Sequence, residues 1–94
     1  MEMHNPCHPG EILKEVYLKD YSLTVTSFAL KIGVSRTTAS ELVNCKNGVT
    51  AEMALKLAKA FNTTAQFWLN MQQAYDLWQA RQRVNLDDVQ VIAN

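Results

Sequence analysis

The sequence predicts an all-α protein, on three observations. Glycine and proline are scarce, at 3 and 2 residues in 94. No segment shows a prominent strand-like alternation of apolar and polar residues. Apolar residues instead recur at helical spacing in successive segments, two of them joined by a tight turn at Gly33. The apolar share of 48% is ordinary for a globular chain and sufficient for a core. The length suits one domain spanning 1–94.

The first helix is expected over about Pro9 to Lys19. Pro9 suits a first helical turn, where its missing N–H costs nothing. Glu11 and Glu15 lie toward the end where the helix dipole favours anions. Ile12, Leu13, Val16 and Tyr17 form the apolar stripe, with Lys14 and Lys19 on the solvated face. Asp20, Tyr21 and Ser22 make the connection, and Leu23 returns to the core.

The next stretch, Thr24 to Asn44, reads as two short helices and a turn. Phe28, Ala29 and Ile32 share one face of the first. Gly33 ends it, because glycine adopts the left-handed conformation at no steric cost. Val34 plugs the turn and Ser35 caps the second helix. Ala39, Leu42 and Val43 face inward there, and the small Ala29 allows the helices to approach. Arg36, Thr37, Ser40, Glu41 and Asn44 are left pointing out. This is the residue order of a helix-turn-helix at about 25–44, although any αα-hairpin needs the same glycine and apolar positions.

Asn47-Gly48 signals a turn. Thr50 caps a fourth helix, with Ala54, Leu57, Ala58 and Phe61 on its buried face. Lys56 and Lys59 sit on its outer face, at the end that favours cations. Asn62 is a C-cap, and Thr63 or Thr64 caps the fifth and longest helix, from Ala65 to Arg83. Phe67, Met71, Ala74, Tyr75 and Trp78 recur there at helical spacing, and Trp68 and Leu77 widen the stripe. That stripe is broader than one small domain buries, so 65–94 is assigned to dimer or partner contacts. Trp68 and Met71 go to the core; Tyr75, Leu77 and Trp78, with Val89 and Val91 in the tail, go to a dimer interface. The tail from Val84 is a short strand or an extended segment.

Net charge is zero. Positive charge is concentrated in the hairpin, where Lys31, Arg36 and Lys46 face Glu41 alone, and the tail carries Asp87 and Asp88 without a base. A neutral chain binds phosphates weakly alone, so dimerisation is expected to supply affinity. Cys7 and Cys45 are the only cysteines and are read as free thiols. His4, Cys7 and His8 match no zinc spacing and lack a fourth ligand, so no metal is expected. No nucleophile, base and orienting group form a recognisable arrangement, so neither an enzyme nor a cofactor is expected. Nothing at the start resembles a signal peptide and no run is long enough to cross a membrane, which points to the cytoplasm.

Four runs, in order, carry a resemblance: H-P-G-E-I-L, G-V-S-R-T-T-A-S-E-L-V-N, T-A-E-M-A-L-K-L-A-K-A-F and F-W-L-N-M-Q-Q-A-Y-D-L. Together they resemble the HigA-type antitoxins, also called virulence-associated protein I, a branch of the Cro/C1-type (XRE) helix-turn-helix family. The resemblance spans about His8 to Gln79. It implies a five-helix, lambda-repressor-like DNA-binding domain that forms a homodimer and binds a palindromic operator upstream of its own operon. It also implies a protein partner, a HigB-like ribonuclease toxin held inactive, and no catalytic activity in the antitoxin.

With the second hairpin helix as the recognition helix, Arg36 stands at its second position and is expected to reach guanine O6 and N7. Thr37, Ser40 and Glu41 add contacts to neighbouring bases. Thr26 and Ser27 open the first hairpin helix, Ser35 caps the recognition helix, Asn44 and Lys46 flank its other end, and all five are expected at phosphates. Two alternatives stand beside this reading: a stand-alone Cro/C1-type regulator without a toxin, and a helical adaptor that binds only protein.

Overall fold

The computed structural model describes residues 5–93; His4, one of the potential metal ligands, and Asn94 lie outside them. Among the described residues there are five helical segments and no strand. The first, α1, begins as an α-helical turn over Pro9–Ile12 and continues as a π-helical stretch over Leu13–Leu18. It is followed by α2 (Val25–Ile32), α3 (Arg36–Val43), α4 (Ala51–Phe61) and α5 (Ala65–Arg83). Among the described residues no helix is long and apolar enough to cross a membrane.

Capping residues set most of the boundaries. Thr24, Ser35, Thr50 and Thr64 each accept the backbone N–H three residues ahead. Gly33 (φ 74°) and Asn62 (φ 56°) close α2 and α4 in the left-handed conformation. Thr63 is not a cap; its hydroxyl accepts the indole N–H of Trp68 at 2.8 Å.

Trp68 is fully buried and sits at the centre of the core with Leu13, Phe28, Leu42 and Leu57. Tyr17 and Phe61 pack tilted around it, with ring centroids 4.9 to 6.3 Å apart. Burying one such side chain contributes about 1.5–3 kcal/mol, so this cluster is the main source of stability. Ala29, Ile32, Ala39, Leu42 and Val43 are buried where the hairpin pattern put them.

Two expectations change. Val16 was expected on the apolar stripe of α1 but is exposed, and Leu18 is buried in its place. The π-helical hydrogen bonding explains the exchange: it joins residues five apart, so Leu13 and Leu18 share one face. Gly48 is more than the turn residue its sequence context predicts. A β-carbon there would come within 2.9 Å of the Gln72 side chain, so its role includes a close approach to α5.

Gln72 makes that approach. It is buried, accepts the Val49 N–H at 2.7 Å and donates to Asp76 at 2.8 Å. The loop after α3 is thereby fastened to α5. At that same C-terminal end of α3, α1 arrives backbone to backbone. A β-carbon on Gly10 would fall inside the van der Waals envelope of the Leu42 carbonyl oxygen. His8 prepares this contact. Its Nδ1 accepts the Gly10 N–H at 2.9 Å, and its ring meets Tyr75 edge-on with centroids 4.8 Å apart. Burial is the largest influence on the His8 proton affinity and lowers its pKa, against an opposing pull from Asp76 and Glu11.

Two outcomes follow from this junction. Gly10→Ala meets backbone that cannot turn aside, and should destabilise the fold by about 1–3 kcal/mol or more, read by urea unfolding. The second concerns pH. His8 binds a proton less well folded than unfolded, so folding weakens as pH falls. Its contribution is complete above the ordinary value of 6.5 and is lost as pH drops through the lower folded value. The unfolding midpoint should therefore fall between about pH 7 and pH 5, in the range where histidine titrates. The fall should be smaller in His8→Asn, which keeps a cap acceptor but does not titrate there; equal falls would show that His8 is not responsible.

Candidate nucleic-acid interface

Helix α3 is held on its inner side by Ala39, Leu42 and Val43, all buried. Its outer side carries Arg36, Thr37 and Asn44, all exposed, with Ser40 and Glu41 half-buried beside them. Ser35 is the N-cap, so Arg36 is the first helical residue rather than the second. No group of three His, Cys, Asp or Glu side chains among the described residues could hold a metal ion. Cys7 and Cys45 are both free thiols and exposed. Burial pushes the Cys45 thiol above its ordinary pKa, with Glu11 adding to the rise.

The residues expected at phosphates divide by what their side chains already do. Ser27 completes a capping box with Thr24: its hydroxyl accepts the Thr24 N–H at 3.0 Å and donates to the Thr24 carbonyl at 3.1 Å. The Ser35 hydroxyl accepts the Thr38 N–H at 3.0 Å. Asn44 donates its amide to the Ser40 carbonyl at 2.9 Å. Lys46 is exposed beyond the end of α3. Thr26 lies one residue inside α2, and its hydroxyl accepts the Arg36 Nε–H at 3.0 Å. Arg36 and Thr26, ten residues apart in sequence, are thus joined on the outer surface of the hairpin.

Glu41 is drawn toward the turn after α3. Its carboxylate accepts the Asn47 amide at 2.8 Å, and its backbone carbonyl accepts the Lys46 N–H at 2.8 Å. Sequence reasoning put the turn at Asn47-Gly48 and missed its start at Asn44 and Cys45. That start depends on Cys45 at φ 62°, a left-handed residue without the usual glycine, so no compositional signal marked it. Sequence reasoning missed Gln72 for a similar reason: a glutamine on an amphipathic helix reads as surface until the loop it fastens is known.

The residues assigned to a dimer interface lie in different surroundings. Leu77 is exposed and Trp78 half-buried. Tyr75 is half-buried against His8 and accepts the Gln79 amide at 3.1 Å, so part of its surface is already used within the chain. Val89 and Val91 are exposed on a tail that has a turn at Leu86–Val89 and otherwise no regular structure.

This geometry has counterparts among known proteins. The helix-turn-helix family profile matches residues 13–68. The chain belongs to that family. Virulence-associated protein I of Dichelobacter nodosus is 48% identical over 75 residues, which cover 80% of this chain and 69% of the relative. Antitoxin HigA-1 of Vibrio cholerae is 46% identical over 79 residues, covering 83% and 73% of the two chains. The solved structure of antitoxin GraA in complex with its operator superposes with a TM-score of 0.89 at 35% identity, covering 100% of this chain and 98% of that one. These are DNA-binding regulators and antitoxins, not enzymes, and the chain is a HigA-like helix-turn-helix protein.

Proposed function

We propose that this protein is the DNA-binding antitoxin of a type II toxin–antitoxin pair. It binds a palindromic operator upstream of its own operon and holds a HigB-like ribonuclease toxin inactive. The observation that carries the DNA half is the outer face of α3. It is short, polar and locked from behind by three buried side chains, with an arginine at its first turn. The likeness to antitoxin GraA bound to its operator supports the same half. The toxin half rests on the likeness to antitoxin HigA-1. No cofactor takes part in this reading.

Arg36, Thr37 and Ser40 meet base edges. Glu41, held by Asn47, borders them and orders the turn that presents Lys46 to a phosphate. Asn44 and the hydroxyls of Ser27 and Ser35 shape the helix ends, and phosphate oxygens approach beside them. One such helix from a neutral domain neutralises few phosphates. Two of them, about 34 Å apart on a two-fold dimer, multiply the contacts. The exposed Leu77 and half-buried Trp78 of α5, with the apolar tail, form the dimer surface. Aromatic and aliphatic anchors of this kind carry much of an interface's energy.

Binding to the DNA upstream of the gene, followed by fluorescence anisotropy across a salt series, tests the DNA half. Arg36→Ala should lose about 1–3 kcal/mol and relax preference at one base pair per half-site. Lys46→Ala should weaken all sequences alike and reduce the salt slope by about one. An Arg36 variant as tight and selective as the parent would overturn the base assignment. Co-expression with the neighbouring gene product tests the toxin half: growth arrest relieved by this chain supports it, and a harmless neighbour leaves the stand-alone regulator.

Assembly has its own measurement. Light scattering at micromolar concentration should give the mass of two chains, and Leu77→Asp should shift it toward one. A single-chain mass for the intact protein would remove both the dimer and the symmetric operator.

A further inference from the structure

We infer that Thr26 is a positioning residue that fixes which edge of the Arg36 guanidinium meets the DNA. The inference rests on the assignment of Arg36 to base reading.

The hydroxyl of Thr26 has no other evident employment. The first turn of α2 is capped by Thr24 and Ser27, which satisfy each other's donors and acceptors without it. Thr26 is exposed, so no core packing calls for its hydroxyl. Its one side-chain hydrogen bond is the one it accepts from Arg36 Nε at 3.0 Å. The two residues belong to different helices, and α2 and α3 are fixed to one another by Phe28, Ala29, Ala39 and Leu42 in the core. The contact is therefore a tie between two rigid pieces and not a local accident of one helix.

An arginine has five donors in a planar fork and can meet a pair of acceptors in two ways. Side-on, it uses Nε and one terminal nitrogen; end-on, it uses both terminal nitrogens. With Nε committed to Thr26, the end-on edge alone faces outward. Guanine presents O6 and N7 as neighbouring acceptors, which the end-on fork spans bidentately. The tie also reduces an entropic loss. A free surface arginine carries considerable rotamer entropy, part of which is surrendered on binding. Thr26 removes some of that freedom before DNA arrives. As a β-branched residue it has few χ1 rotamers, so its hydroxyl is a stiff post.

The test uses the intact protein and a panel of duplexes, each with one base pair of the operator changed. Arg36→Ala first locates the pair that Arg36 reads. Thr26→Val keeps the shape and removes the hydroxyl. It should lower discrimination at that same pair by roughly three- to tenfold, the worth of one hydrogen bond, and leave the other pairs unchanged. Thr26→Ser restores the acceptor and should restore discrimination. In the Arg36→Ala background, Thr26→Val should have no further effect.

If Thr26→Val weakens every sequence equally, and does so without Arg36, Thr26 is a phosphate contact and the inference is wrong. If Arg36→Ala is selective but Thr26→Val leaves the profile unchanged, the tie has no role in reading and the inference falls alone. If Arg36→Ala itself leaves the profile flat, the base reading falls and takes the inference with it.

Discussion

The carbonyl oxygen of Leu42 lies where residue 10 would carry a β-carbon, and much of the molecule's arrangement follows from that closeness. Helix α1 can reach the end of α3 only backbone to backbone. It must begin there, which requires a cap on the preceding residue and a first turn free of side-chain bulk. His8, Pro9 and Gly10 meet those needs in order: an acceptor for the Gly10 N–H, a residue with no N–H to satisfy, and an absent side chain. The short run that carried a family resemblance thus has a local physical reason. The ring of His8 then rests on Tyr75, so α5 belongs to the same junction.

A second fastening works on the loop beyond α3. Gln72 holds the Val49 N–H and is itself held by Asp76, and Gly48 leaves space for the amide. No buried side-chain polar atom among the described residues lacks a partner. The cost of burying an amide on α5 is thereby offset by bonds it makes there. Both fastenings act at the C-terminal end of α3, and the outer face of that helix is free of structural duties except at its edges. Ser35 caps one end, and Glu41 with Asn44 tidies the other. A reading surface with its shape fixed from behind needs little reordering when it meets a groove.

Much of this was legible in the sequence. The inward faces of α2, α3 and α4 follow from 3.6-residue spacing, and the boundaries follow from Thr, Ser, Gly and Asn at their caps. The outer face of α3 was legible by subtraction once Ala39, Leu42 and Val43 were assigned inward. What was not legible depended on contacts between segments far apart in sequence. Gln72 is an ordinary helix residue until Val49 comes within reach. Thr26 and Arg36 each read as independent surface groups, because nothing in either helix alone brings a hydroxyl ten residues back to a guanidinium. Tyr75 looked surplus to the core because its partner, His8, lies at the opposite end of the chain.

The widened turn in α1 changes how many residues separate two side chains of the core. An α-helix would place residues four apart on one face, and here Leu13 and Leu18, five apart, share it. The segment thus carries one residue more than a regular helix would need to bury the same two side chains. The widened turn absorbs that residue, and the side chains at its two ends, Leu13 and Leu18, both stay buried.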